Sequence, residues 1–388
     1  MKICFVSEYF PRSDELEIKG GAEAAAFNEA YYLSKDNDIT VLTSYEEGME
    51  KETNIGNIKV IACGKKRSYT QKGSFKNRLL FMKAAYGAGK KLDFDIIVGY
   101  NFITYIVAWK LSQKLNIPCV ARYHDVWIGQ WVKNIGIFGI FGEVLERYFL
   151  SRDVDLILPV SHFTANNLKK YFPEDKIAVV HNIVEFDKVE SEKFEERTIS
   201  CVSRLVEYKR VEDLILAMDI LVNNGKNNNH RDLGKNSNHR DLQCKIIGTG
   251  PMKEKLETLV KEKNLKNNIK FCGFVEKHED VLKLINSSHI FCLPSKVEGF
   301  GIVIVEALGC EVPFVASNIA PVMEASGEKG GLFFQVENHE DLATKLKLLL
   351  ENEDLYEKLK NEGINQYKKY QGKYIAKKLE NHYISLLD

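Results

Sequence analysis

The stretch Val297-Glu298-Gly299-Phe300-Gly301-Ile302-Val303-Ile304-Val305-Glu306-Ala307-Leu308 sets two carboxylates eight residues apart around a glycine turn. The run before it, Ser288-His289-Ile290-Phe291-Cys292-Leu293-Pro294-Ser295, reads as a strand ending in a turn. Glu298 then falls in a loop at the carboxyl end of a strand, the edge where open α/β sheets bind ligands. Gly299 and Gly301 let the backbone approach a ligand closely. A helix starting near Gly301 aims N–H groups and a positive dipole end at the same spot. Glu306 lies further along that helix, within reach of a ligand across its start. The layout suits a ligand bearing both phosphates and hydroxyls. The plain alternative is a surface loop followed by an ordinary amphipathic helix.

Three further segments repeat the pattern. Ile199-Ser200-Cys201-Val202-Ser203-Arg204-Leu205 reads as a buried strand entering a loop, with Val206-Glu207-Tyr208-Lys209-Arg210 next and a helix from Val211. Arg204 and Lys209 therefore sit at a second strand end, and a guanidinium fork with a mobile ammonium suits a diphosphate. Two solvated basic residues in a loop are the alternative. Cys244-Lys245-Ile246-Ile247-Gly248-Thr249-Gly250-Pro251 is again strand, glycine turn, helix. Ile269-Lys270-Phe271-Cys272-Gly273-Phe274-Val275 is a short strand that Gly273 ends.

In order and spacing these elements resemble the C-terminal half of the retaining GT-B glycosyltransferases of the group 1 (family four) type. The resemblance extends through Glu311-Val312-Pro313-Phe314-Val315-Ala316-Ser317. It continues in the N-terminal half: Met1–Ser7 as the first strand, Gly20-Gly21-Ala22-Glu23 as the glycine-rich loop, and Tyr123-His124-Asp125 as the His-Asp segment. Pro159-Val160-Ser161 and His181-Asn182-Ile183-Val184 mark the end of that half.

The resemblance implies two Rossmann-like α/β domains whose parallel sheets face a central cleft. It implies an acceptor-binding domain over residues 1–186 and a nucleotide-sugar-binding domain over 187–370. A final helix, 371–388, would cross back to the first domain. It implies a hexosyltransferase-type enzyme, metal-independent, moving a sugar from a nucleoside diphosphate sugar to a hydroxyl acceptor that is lipid- or glycan-linked. In that reading Arg204 and Lys209 neutralise the leaving diphosphate, with the helix start at Phe300, Gly301 and Ile302. Glu298 contacts sugar hydroxyls, and Glu306 contacts the ribose. Gly250, Phe274 and Val275 line the donor, the last two near the base. Gly21 and His124 face the reacting centre and acceptor from the N-terminal domain. His124 also has a plainer reading as a core histidine. Rivals are a GT-B sugar-nucleotide epimerase and a non-catalytic nucleotide-sugar-binding relative.

Composition fits a two-domain cytoplasmic enzyme. A chain of 388 residues exceeds what one hydrophobic core usually organises. Formal net charge is zero, with no global attraction to nucleic acid. Most of the eight cysteines sit in strand-like runs and none forms a C-x-x-C pair, which predicts buried reduced thiols. Glu8 and Arg12 follow the first strand too closely for a signal peptide, and no apolar run is long enough to span a bilayer.

Periodicity predicts alternating strands and helices. Strands are expected at Ile39–Thr43, Ile58–Ala62, Asp95–Val98, Pro118–Arg122, Leu156–Val160 and Ala178–Val180. Helices are expected at Ala22–Leu33, Ser74–Ala88, Ile103–Leu115, Glu143–Arg152 and Tyr374–Leu387. The charged segment Glu185–Arg197 reads as the interdomain linker.

Asp36-Asn37-Asp38, Asp93-Phe94-Asp95 and Asp153-Val154-Asp155 spell a triplet that holds a metal in another glycosyltransferase fold. Here the last two directly precede strands, so we read the triplets as structural and expect no required metal. The nine residues 225–233, GKNNNHRDL, recur at once as 234–242, GKNSNHRDL, differing only at Asn228 and Ser237. His230, His239, Asp232 and Asp241 hint at metal binding, but a duplication in a surface loop is the simpler reading.

No acidic residue stands between Glu52 and Asp93. Lys59, Lys65, Lys66, Arg67, Lys72, Lys76, Arg78, Lys83, Lys90 and Lys91 fill that gap, interleaved with Phe75, Leu79, Leu80 and Phe81. Residues 59–91, with the apolar segment Ile135–Phe141, predict peripheral contact with an anionic membrane face. A solvated helix packed by its apolar side is the alternative.

Overall fold

The computed structural model describes residues 1–11, 21–67, 75–223 and 239–388. Two compact units emerge: Met1–Glu185 with Tyr370–Asp388, and Phe186–Lys369. The chain passes between them after Glu185 and returns after Lys369, one residue before each boundary expected from the sequence.

The first unit carries β1 (Lys2–Val6), β2 (Asp38–Glu46), β3 (Glu52–Ile55), β4 (Ile58–Arg67), β5 (Ile96–Gly99), β6 (Cys119–Tyr123) and β7 (Leu156–Pro159). Their order is β3-β4-β2-β1-β5-β6-β7. The central strands are buried throughout, as IIVG and CVARY require for a sheet covered on both faces. Helices Gly21–Leu33 and Phe102–Leu115 cover it, the latter opened by an Asn101–Thr104 capping box.

Two expectations need correction. The sheet is not wholly parallel, because β3 pairs antiparallel with β4 through a hairpin. Ala178–Val180 is not a strand; the chain there makes one bridge, Ile157 with Ile177, and then separate hydrogen bonds to β7.

The C-terminal helix Gly372–Ile384 belongs to this unit. Ile375, Leu379 and Tyr383 join the core that contains β1 and β2. A Cβ at Gly372 would collide with the Tyr32 ring, so only glycine lets this helix start so close to Gly21–Leu33.

At the centre lies a buried ion pair. Arg122 Nε donates to Glu29 Oε1 at 2.7 Å, and both side chains are fully buried. Arg122 also donates to the carbonyls of Leu158, Val180 and His181, while Tyr100 OH donates to Glu29 Oε2. One guanidinium thus ties β6 to a helix and to the segment after β7. The Asp-x-Asp segments are structural here. Asp95 accepts from the Lys2 amide at 2.6 Å and Asp155 from the Cys119 amide at 2.8 Å. Asp93 and Asp153 pair with Lys2 and Lys176.

The second unit carries β8 (Thr198–Val202), β9 (Gln243–Ile247), β10 (Ile269–Gly273), β11 (Ile290–Leu293), β12 (Phe314–Ser317) and β13 (Gly331–Phe334). They form a wholly parallel sheet in the order β10-β9-β8-β11-β12-β13. Strand order reverses between β8 and β11, so the loops leaving those two strands part and open a crevice at their carboxyl ends. Of the duplicated segment, residues up to 238 lie outside the described residues, His230 and Asp232 among them. His239 Nε2 lies 3.1 Å from Glu351, Asp241 is exposed, and Leu242 is in the core.

Candidate active site

The loops leaving β8 and β11 carry Arg204, Lys209 and Glu298. Lys209 ends a short turn after β8, and Glu298 stands in the glycine turn after β11. Lys209 Nζ lies 2.5 Å from Glu298 Oε1, with side chains 13% and 11% exposed. A backbone bond from Lys296 N to Tyr208 O, 2.9 Å, fastens the two loops together. Arg204 is exposed and donates to Tyr208 OH at 2.7 Å. The adjacent Arg210 is committed elsewhere: it holds Asp213 through two bonds and also pairs with Glu212. Arg210 thus braces the turn, whereas Arg204 and Lys209 lie outside that cluster.

Gly301 precedes helix Ile302–Gly309 with φ of 91°, a conformation that glycine adopts without strain. Phe300 is buried beneath it, and Ile302 is half-buried at the first turn. Glu306 is inside that helix and 5% exposed. Its Oε1 lies 2.8 Å from His278 Nε2, at the start of helix His278–Ser287. Burial works against a charge on His278, but the Glu306 charge and hydrogen bond outweigh it, and the imidazole pKa is raised. Nothing in the sequence singled out His278. Its only signal is its place just beyond Gly273-Phe274-Val275.

Gly248 and Gly250 have a packing role. Gly248 has φ of 131°, and a Cβ there would collide with the Ser203 carbonyl oxygen. A Cβ at Gly250 would collide with the Leu205 carbonyl oxygen. Leu205 N donates to Thr249 O and Gly248 N to Gly273 O, lacing the loops after β8, β9 and β10 into one floor. Phe274 projects from that floor, 47% exposed, with Val275 half-buried beside it.

Gly21 and His124 belong to the first unit. Gly21 is the exposed first residue of its helix. His124 follows β6, and its ring stacks on Tyr100 at 6.2 Å. Nε2 is enclosed with no hydrogen-bond partner. Burial first, and the Arg122 charge second, lower its pKa to about 3. The ring is therefore neutral at physiological pH and offers one unmet polar nitrogen.

The basic run 59–91 does not form one face. Arg67 and Arg78 turn inward to Glu8 at 3.2 and 2.9 Å, with Arg67 also on Ser44. Lys59 pairs with Glu52, and Lys66 and Lys90 lie over Tyr45 and Tyr86. Phe81 is core, Leu80 is half-buried, and Lys72 lies outside the described residues. Lys76 and Lys83 do face out.

Residues 183–366 match the family model described as glycosyl transferases group 1, and residues 19–188 the model described as glycosyltransferase family 4. The chain is a group 1 glycosyltransferase. Among relatives of this transferase, an uncharacterised glycosyltransferase of Methanocaldococcus jannaschii is 26% identical over 311 residues, 75% of each chain. The Campylobacter jejuni N-acetylgalactosamine-N,N'-diacetylbacillosaminyl-diphospho-undecaprenol 4-alpha-N-acetylgalactosaminyltransferase is 25% identical over 249 residues, 61% of this chain and 63% of its own. Two solved structures share the two-sheet GT-B fold. Sucrose-phosphate synthase from Thermosynechococcus elongatus matches with TM-score 0.82, 17% identity, and 99% and 98% of the two chains. Anabaena HepE in complex with UDP-glucose matches with TM-score 0.75, 15% identity, and 99% and 100%.

Proposed function

We propose that this transferase moves a sugar, with retention at the anomeric carbon, from a nucleoside diphosphate sugar to a hydroxyl of a lipid- or glycan-linked acceptor. The observation that carries the reading is the Lys209–Glu298 contact at the strand-order reversal, with Arg204 beside it. An ammonium, a guanidinium and a helix start supply positive charge where a diphosphate would lie. A carboxylate on the same loop edge is ready for sugar hydroxyls. HepE's complex with UDP-glucose supports the donor class, and the C. jejuni relative's diphospho-undecaprenol acceptor supports a lipid-linked one.

In this reading the anomeric C–O bond breaks and its electron pair passes to the diphosphate oxygen. Arg204 and Lys209 neutralise the growing charge, which assigns to side chains the task a metal ion performs elsewhere. The acceptor oxygen bonds to the same face of the sugar, and its proton goes to the leaving phosphate oxygen. Glu298 accepts from sugar hydroxyls, and Glu306, held by His278, accepts from the ribose. The floor at Gly273–Val275 lies under the base. His124 stays neutral and keeps only the acceptor-side role that the family resemblance gives it. The enzyme works at a cytoplasmic membrane face in this account.

The test is product analysis with a chelator present. Proton NMR of the glycoside formed should show the donor's own anomeric configuration, at a rate insensitive to EDTA. An inverted product, or activity abolished by EDTA and restored by a divalent cation, overturns the corresponding half of the reading.

A further inference from the structure

We propose that the tip Ile137–Phe141, with Phe75 and Leu79 beside it, is a docking surface for an anionic lipid bilayer. Ile137 and Phe138 are 72% and 76% exposed, and Ile140 and Phe141 are each 48% exposed. The Phe141 ring meets the Phe75 ring at 4.5 Å, which joins the tip to helix Phe75–Gly89. Leu79, one turn along that helix, is 44% exposed. Exposed apolar side chains clustered in this way mark interaction surfaces.

The tip stands on a built base. Trp131 is buried beneath it, and a Cβ at Gly139 or Gly142 would collide with that residue. Trp131 Nε1 donates to Glu146 Oε2 at 2.6 Å, and Tyr123 OH and Trp127 N donate to Glu146 Oε1. Three donors converge on one buried carboxylate, so the apolar residues are held outward rather than left to collapse.

Charge chooses the occupant. Lys76 and Lys83 are exposed on the helix face that bears Leu79, Lys133 is exposed beside the tip, and no acidic residue stands between Glu52 and Asp93. A bilayer supplies both an apolar layer for Ile137 and Phe138 and anionic headgroups for the lysines. A symmetric contact with a second copy would bring the same lysines against themselves. Protein interfaces are, besides, depleted in lysine. The surface found here is narrower than the run 59–91, because it excludes the inward-turned Arg67 and Arg78. The inference rests on the membrane-face part of the proposed function and names the surface for it; vesicle binding is read with no nucleotide sugar present, so its failure leaves the donor assignment standing.

The experiment is cosedimentation of the full chain with vesicles of phosphatidylcholine alone or mixed with phosphatidylglycerol. The wild type should bind the anionic vesicles and release them at high salt. The exposed pair Ile137→Ser with Phe138→Ser should lower partitioning at least about 10-fold. Lys76→Glu with Lys83→Glu should abolish the preference for the anionic lipid. Both variants should keep the wild-type melting temperature, which separates a lost surface from a lost fold. No vesicle binding by the wild type, or binding that Ile137→Ser with Phe138→Ser leaves unchanged, overturns the proposal. So does a dimer in analytical ultracentrifugation that this double variant dissolves, because it assigns the patch to a second copy.

Discussion

His278 Nε2 lies 2.8 Å from Glu306 Oε1, so the second carboxylate of the Glu298/Glu306 pair is held by an imidazole from a neighbouring helix. The pair sets a pH dependence. The folded-state pKa of His278 is raised above its ordinary 6.5, so its contribution is complete below that value and is lost as pH rises through the raised one. Urea midpoints measured from pH 6 upward should fall through that window by roughly 1–2 kcal/mol of stability. His278→Ala should remove that slope.

Breaking the Arg122–Glu29 pair should be the most damaging single change in the first unit. Glu29→Ala leaves a guanidinium with no counter-charge at a fully buried position. The expected loss is about 3–5 kcal/mol, read by chemical denaturation. Replacing both residues with apolar side chains should cost less than Glu29→Ala alone.

Gly248→Ala and Gly250→Ala should disturb the floor of the site rather than a direct contact. Each added Cβ meets a backbone carbonyl, which cannot swing aside as a side chain would. We expect roughly 1–3 kcal/mol of destabilisation and weakened nucleotide-sugar binding together. A variant that keeps full stability and full binding would show that the loops do not rest on each other.

His124 should stay neutral far into acid. Its folded pKa lies near 3, below the ordinary 6.5, so the unfolded chain takes up the proton first. Stability should therefore drop as pH falls from 6.5 toward 3. Histidine NMR signals would show it directly: the His124 ring carbons should not shift between pH 8 and 5, whereas an ordinary histidine titrates there.

Much of the fold is legible because its strands are continuous apolar runs, such as IFCL and FVAS, set between helical patterns. The edge strand ETNI is not legible: it is short, mostly polar and largely exposed, and only its pairing with β4 makes it a strand. In the candidate site, Arg204, Lys209 and Glu298 can be singled out because each follows a recognisable strand end, and Glu306 because it lies on the helix that Gly301 opens. His278 is not, since its link to Glu306 is created by the packing of two helices. Arg67 and Arg78 mislead in the same way. They stand in a run of lysines, but Glu8, 59 and 70 residues away, takes both inward.

The central claim is that Lys209 and Glu298 form the donor site. The direct measurement is titration calorimetry of UDP-, GDP-, ADP- and dTDP-sugars, without added metal, on the wild type, Glu298→Ala and Lys209→Ala. The account predicts selective binding of one nucleotide sugar, weakened roughly 10- to 100-fold in each variant. Binding of none of them, or an affinity that Glu298→Ala leaves unchanged, would contradict it.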